Sequence, residues 1–240
     1  MSLEGSTVLI TGGARRIGAA LALHLARAGA DIILHHGHSG EAAEETATAV
    51  RSLGRQAWVF QADLNDPQQT STLASKAWQT RSFQGLINNA AIFEPLDWQS
   101  TTLEDWQRTL TINLTVPFLL SQQFARLLAG SPGRIINILD WRALRPQADH
   151  LAYTTSKAAL AALTKSLAIA LAPAITVNGL ALGAILPPAD VEADSDLLKK
   201  IPAGRWGELS EVGHAAEFLL SGPDYITGQI IHIDGGRHLI

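Results

Sequence analysis

The chain has 240 residues, no cysteine and a formal net charge of −4. Hydrophobic residues make up 47% and charged residues 17%, against roughly 25% charged in average globular chains. Disorder is excluded by composition, and disulfides, zinc–thiolate sites and thiol nucleophiles by the missing cysteine; a mildly acidic balance is the wrong sign for a nucleic-acid binder.

The opening Met1-Ser2-Leu3-Glu4-Gly5-Ser6 carries an acid and no apolar run, so no secretory leader is expected. Seven short runs follow in order: Thr7–Ile10, Asp31–His35, Ala57–Phe60, Gly85–Asn88, Arg134–Ile138, Ile175–Asn178 and Gln229–Ile233. They are near-continuously apolar, the pattern of strands buried on both faces. Helical patterns fill the gaps, over 16–29, 41–53, 67–81, 102–130 and 151–171. The uncharged stretch between Lys165 and Asp190 is broken by Pro173, Asn178, Gly179, Gly183, Pro187 and Pro188. It reads as a helix end, a turn and a buried strand, since a membrane span wants about 20 apolar residues. This alternation predicts one α/β domain over 1–240, with a Rossmann-like, doubly wound, seven-stranded parallel sheet and helices on both faces. A cofactor half ends at about residue 140 and the substrate-side elements follow. The expectation is a cytoplasmic protein with a small-molecule substrate and no membrane or nucleic-acid partner. The lean surface points to burial between subunits.

The first run ends in Thr11-Gly12-Gly13-Ala14-Arg15-Arg16-Ile17-Gly18 and enters a helix. Glycine permits a sharp turn and close approach of backbone to ligand. A helix N-terminus offers free N–H groups to a pyrophosphate. The spacing is not G-x-G-x-x-G, so an ordinary strand–helix turn is the alternative. NAD binding calls for an acid at the end of the second strand. Here that strand ends in His35-His36-Gly37-His38-Ser39, and Asp31 stands at its beginning. Arg16 supplies a planar donor fork for a 2′-phosphate. NADP is therefore expected over NAD. The histidine cluster could hold a metal instead, but neighbours on a strand face opposite sides and no further ligand set is implied; no metal is expected.

Tyr153 stands four residues before Lys157 and thirteen after Asp140. Four residues apart on a helix share a face, and an ammonium beside a phenol favours phenolate. That pairing tunes a tyrosine for proton transfer; a surface pair is the bland alternative. Asp140 ends the fifth run and Asn88-Asn89-Ala90-Ala91 the fourth, at the carboxyl edge where open α/β sheets bind ligands.

With Asp63 after the third strand, Asn113 in Ile112-Asn113-Leu114 and the tail Ile233-Asp234-Gly235-Gly236, these ordered motifs resemble the short-chain dehydrogenase/reductase family over essentially the whole chain. The resemblance implies hydride transfer from NADPH to an electron-poor C=N or C=O, with Tyr153 as proton donor. Lys157 would hold the nicotinamide ribose and bias the tyrosine; Asn113 would keep a helix bend and a water. Cofactor contacts are implied for Gly12, Arg15, Arg16, Ile17 and Gly18; for His36, His38 and Ser39; for Asp63 and Leu64; for Asn89, Ala90 and Ala91; and for Gly183 and Ile185, besides Tyr153 and Lys157.

The departures point further. Arg16 stands at the family's middle loop glycine, and Asp140 at its usual catalytic serine. With Phe93 after the Asn-Asn-Ala motif, this is similar to pteridine and dihydromonapterin reductases, as are Leu34–Ser39 and the tail Asp234–Leu239. Ala91 stands where those enzymes usually offer a serine, and Leu182-Gly183 replaces the family's Pro-Gly. The substrate residues implied are Phe93, stacking on a pterin-like ring, with Asp140, Arg16 and Tyr153. The alternative is a general NADPH carbonyl reductase acting on a 3-ketoacyl thioester, sugar or steroid ketone; Ile201–Gly207 resembles a stretch of many ketoacyl reductases. A non-catalytic NADP sensor would not need Tyr153 and Lys157. The segment 187–194 lies where the family has a lid. Helices at 102–130 and 151–171 resemble its dimer faces, so a homotetramer is expected. Trp98, Trp141 and Trp206 either line the mouth or pack. Arg142 and Arg145 either meet a substrate anion or form a solvated face. His24, His214 and His232 read as structural.

Overall fold

The computed structural model describes residues 2–186 and 198–240, so the lid segment at 187–194 lies outside the described residues. The strands are β1 (Thr7–Ile10), β2 (Asp31–His36), β3 (Ala57–Gln61), β4 (Gly85–Asn88), β5 (Gly133–Asp140), β6 (Ile175–Leu182) and β7 (Ile230–Ile233). They form one seven-stranded sheet in the order β3-β2-β1-β4-β5-β6-β7, with every pairing parallel. The expected doubly wound fold is the one observed. The order reverses between β1 and β4, and that switch point opens a crevice at the carboxyl ends of both strands.

The helices are α1 (Arg16–Arg27), α2 (Gly40–Ser52), α3 (Pro67–Thr80), α4 (Leu103–Leu110), α5 (Val116–Leu128), α6 (Leu151–Leu171) and α7 (Leu209–Ser221). Alternate strand residues feed two layers. Ile32, Leu34 and Ile136 pack with Leu21 and Leu25 of α1 and Val212 and Leu219 of α7. Leu9, Ile33 and Leu86 pack with Leu73, Phe83, Phe124 and Leu167 on the other face. Both faces being covered is why the strand runs are apolar without alternation. Among the described residues no helix is long and apolar enough to cross a membrane.

Local signals fix the ends. The Asp66 side chain accepts from the Gln68 and Gln69 amides ahead of Pro67, and Thr102 and Asp105 close a capping box on α4. The expected helix over 102–130 is interrupted: Thr111–Thr115 form a π-helical turn between α4 and α5. Pro117 has no N–H to return to the carbonyl of Asn113, four residues back. The Asn113 side chain accepts from Ile92 N at 2.9 Å and donates to Ile92 O at 3.0 Å and Ser156 Oγ at 3.1 Å. Asp31 has a structural use: its buried carboxylate meets Arg55 at 3.2 Å and Arg81 at 3.6 Å, and accepts from Gln56 N.

His35 ties three segments together. Its Nδ1 accepts from Gly12 N at 3.2 Å and its Nε2 faces Ala62 O at 3.0 Å, so the network assigns the proton to Nε2. Both nitrogens are occupied, which removes His35 from any metal site; among the described residues no cluster of three metal-binding side chains occurs. Burial lowers the His35 pKa from 6.5 to about 4. The unfolded chain takes up a proton below pH 6.5 and the folded one does not until about 4, so stability present above that window is lost as the pH falls through it. The loss amounts to about 3 kcal/mol. Urea-unfolding midpoints between about pH 7 and pH 5 are expected to fall less steeply in His35→Gln than in the wild type. Equal slopes would contradict this assignment.

Candidate active site

The crevice at the switch point is a cavity of about 620 Å³. Gly12, Arg15, Arg16, Ile17 and Gly18 line it from the β1–α1 loop, and His38, Asp63 and Leu64 from the ends of β2 and β3. Asn89, Ala90, Ala91 and Phe93 form the side that follows β4. The loop is clamped onto that side. Asn89 N and Ala90 N donate to Thr11 Oγ1 at 2.9 and 3.0 Å, and Asn89 Nδ2 donates to Thr11 O and Gly12 O. The crowding explains Gly18, where a Cβ would sit 2.1 Å from Gly12 O.

Six of the predicted contacts are not on this wall; Tyr153 and Lys157 lie beyond it, and the other four lie elsewhere. His36 is buried, sharing its strand parity with Ile32 and Leu34, and its Nδ1 has no partner. His35 lines the cavity in its place. Ser39 precedes α2 without a side-chain capping bond. Gly183 packs against Asp234, which a Cβ at position 183 would strike at 2.6 Å from Cα. Ile185 lines a neighbouring cavity of about 230 Å³ with Asp234 and Gly235.

Beyond Phe93 the polar groups converge. Asp140 ends β5 and Tyr153 lies in the first turn of α6. Tyr153 Oη donates to Asp140 Oδ2 at 3.2 Å, while Arg142 N donates to Asp140 Oδ1 at 2.8 Å. Lys157 is buried one turn further on; its Nζ donates to Ile138 O at 2.7 Å and lies 5.8 Å from the Tyr153 ring centroid. The Phe93 ring meets Tyr153 edge-on at 4.6 Å and stacks on His150 at 3.9 Å. One face of Phe93 is therefore already covered. The residue is 52% exposed, which leaves surface for a flat ligand.

A family described as enoyl-(acyl carrier protein) reductase matches residues 12–238. The chain is 38% identical to 2-dehydro-3-deoxy-D-gluconate 5-dehydrogenase of Bacillus subtilis, over 98% of this chain and 95% of that one. It belongs to the short-chain dehydrogenase/reductase family. It is also 37% identical to the 3-oxoacyl-(acyl-carrier-protein) reductase FabG of Aggregatibacter actinomycetemcomitans, over 96% and 98% of the two chains. FolM alternative dihydrofolate reductase 1 from Brucella canis, solved in complex with NADP, superposes with a TM-score of 0.91 at 34% identity, covering 100% of this chain and 97% of that one.

In this short-chain dehydrogenase/reductase the electrostatics differ from the sequence expectation for Tyr153. Burial raises its phenol well above the ordinary value, and the Asp140 carboxylate adds to the effect. In the resting site the Tyr153 hydroxyl is held protonated, and the Lys157 ammonium is turned to Ile138 O. Burial also raises Asp140, against the Arg142 amide and guanidinium, Tyr153 and Lys157. Burial lowers Lys157 to about 8.

Arg16 sits at φ 51°, a left-handed backbone that costs a non-glycine residue about 1–2 kcal/mol. Glycine there would relieve the strain, so retention of arginine points to a use for its side chain. Arg16→Gly is expected to raise stability by about 1 kcal/mol and to raise the KM for NADPH about tenfold, read by thermal unfolding and initial rates. An unchanged KM would contradict the role.

The structure also adds residues. His150 backs Phe93 and anchors to Glu94 O at 2.7 Å through Nδ1; its place three residues before Tyr153 was the available signal. Arg142 is no solvated face: its guanidinium meets Asp149 at 3.1 Å and Asp140 at 3.8 Å. Trp141 is buried and Trp98 is exposed. Trp206 holds a buried Nε1 without a partner. His24 pairs with Glu217 at 2.9 Å and touches the His214 ring, and His232 stacks on His238.

Proposed function

We propose that the protein reduces a dihydropterin-like substrate with NADPH, Tyr153 supplying the proton. The observation that carries this reading is the Asp140–Tyr153 hydrogen bond at 3.2 Å beside the exposed ring of Phe93. A serine at position 140 would serve a ketone oxygen. A carboxylate can accept from the amino and ring N–H groups of a pterin. The likeness to the alternative dihydrofolate reductase supports the same reading.

NADP fits the cleft. Arg15, Arg16 and His38 line the same cleft, and among the described residues none of them meets a carboxylate. That donor set suits a 2′-phosphate, with Ser39 and His36 close in sequence. Gly12, Ile17 and Gly18 leave the loop backbone open to the diphosphate. Asp63, Leu64 and Asn89 to Ala91 line the same cleft, and Gly183 and Ile185 would border the nicotinamide. The bound cofactor supplies the hydride.

The chain's own residues manage the proton. Phe93 orients the flat ring, and Asp140 fixes its N–H edge. Tyr153 gives its phenolic proton to the nitrogen of the C=N bond as the carbon receives the hydride. After the product leaves, Asp140, whose burial raises its proton affinity, takes a proton from water and passes it to the phenolate. Lys157 spends one N–H on Ile138 O and has two more donors for the ribose and for steadying the phenolate. Asn113 holds the π-helical turn against Ser156 and α6.

The second reading is a carbonyl reductase for a ketoacyl thioester or sugar ketone, favoured by the identities of 38% and 37% to such enzymes. The test is oxidation of NADPH with a dihydropterin, beside NADH and an acetoacetyl thioester. Turnover with the dihydropterin and NADPH supports the proposal; turnover with the thioester alone establishes the second reading. The exposed Leu103, Phe118 and Ile169 on α4, α5 and α6 support a homotetramer, which sedimentation as a monomer would remove.

A further inference from the structure

The wall behind Trp141 carries charge that this mechanism does not use. Trp141 directly follows Asp140, and its buried ring meets two guanidinium groups, Arg237 at 4.2 Å and Arg142 at 5.1 Å from the ring centroid. Arg142 also reaches within 5.8 Å of the Phe93 ring. A continuous stack therefore leads from the aromatic surface of the cleft, through Arg142 and Trp141, to Arg237. On the far side Arg237 lines a cavity of about 310 Å³ with Arg145, Gln147, Lys200 and Ile240.

Among the described residues three cations line that cavity and no acidic side chain does. Arg142 meets Asp149 and Asp140; the three cavity cations show no such pairing among the described residues. Among the described residues none of them meets a carboxylate within ion-pair distance. Arg145 donates to the Arg237 carbonyl at 3.4 Å, and the Arg237 guanidinium lies over Trp141. Burial, and then the charge of Arg142, hold Arg237 below the ordinary arginine value, partly offset by Asp140, Asp149 and Asp234. Like charges brought together on a partly buried wall disfavour one another until an anion arrives. A planar guanidinium fork suits a carboxylate, and an ammonium adds a point charge.

We infer that this cavity is an anion subsite that holds a carboxylate on the side chain of the substrate, with Arg237 and Arg145 as its ligands and Lys200 at its rim. The inference rests on the dihydropterin reading of the cleft: the side chain of a ring held against Phe93 would run past Arg142 and Trp141 to the three cations. The enzyme would then select dihydropterins with a carboxylate-bearing tail over those with a short neutral one.

The test measures NADPH oxidation with dihydrofolate, whose tail carries carboxylates, and with 6-hydroxymethyl-dihydropterin, whose side chain is neutral. Arg237→Gln is expected to raise the KM for dihydrofolate by about tenfold or more, while the KM for the neutral substrate changes by less than about twofold. Lys200→Gln, at an exposed position, is expected to shift the same KM by a smaller factor, and it guards against a folding defect in the first variant. Equal losses on both substrates, or no change on either, would overturn the subsite. If neither dihydropterin is turned over, the reading of the cleft fails, and calorimetric binding of p-aminobenzoylglutamate decides the subsite separately. Binding to the wild type that weakens in both variants supports it, and any other result overturns it.

Discussion

Tyr153→Phe is expected to lower kcat by about 10³-fold, within the range general acid catalysis supplies, while the Kd for NADPH stays within about threefold. The substitution is narrow. Phenylalanine keeps the ring that meets Phe93 edge-on at 4.6 Å and lies near Lys157. It removes only the hydroxyl, and with it the bond to Asp140. A factor of this size is about 4 kcal/mol of barrier. Burial and Asp140 keep the phenol protonated in the resting site, so the wild type starts each cycle with the proton in place and the variant has none to give. Rate and cofactor affinity are measured separately, by initial velocities and by fluorescence titration of NADPH. A variant retaining more than about a tenth of wild-type kcat would remove Tyr153 as donor.

Asp140→Ser is expected to lower kcat/KM for a dihydropterin by about 10²-fold or more, because a site built to bond N–H groups loses its acceptors and leaves them unpaired. Serine retains one oxygen that can still face Tyr153 and the Arg142 amide, so the fold and the tyrosine are preserved. What disappears is the second carboxylate oxygen and the negative charge that offsets Arg142. Reduction of an acetoacetyl thioester is not expected to fall with it, since a serine serves a ketone. The comparison of the two substrates in the variant separates substrate recognition from general damage. An unchanged dihydropterin rate would make Asp140 incidental to specificity.

Much of the fold was legible in the chain because both faces of the sheet are covered. Ile32, Ile33 and Leu34 all feed a core, on alternate sides, so the apolar runs mark the strands plainly. The same property hid the choice between His35 and His36. With no polar face on β2, nothing in the local pattern says which histidine turns to the crevice. The interruption of the helix at 102–130 left no mark in the apolar pattern, although the resemblance implied a bend kept by Asn113. Its cause is the bridge from Asn113 to Ile92, twenty-one residues away, and only Pro117 marked it locally. Arg142 read as a surface residue because Asp149 and the Asp140 turn close over it only in three dimensions. The Tyr153–Lys157 spacing correctly placed both side chains on α6. It carried no information on burial, and burial is what moves the phenol upward instead of down.

The central claim is that hydride passes from NADPH to the carbon of a dihydropterin C=N bond. Incubation with NADPH deuterated on the transferred position, followed by mass analysis of the pterin product, tests it directly. The account predicts a tetrahydropterin carrying one carbon-bound deuterium, formed by the wild type and about 10³-fold more slowly by Tyr153→Phe. A dihydropterin recovered unlabelled and unreduced, while an acetoacetyl thioester is converted to a deuterated alcohol, would contradict it.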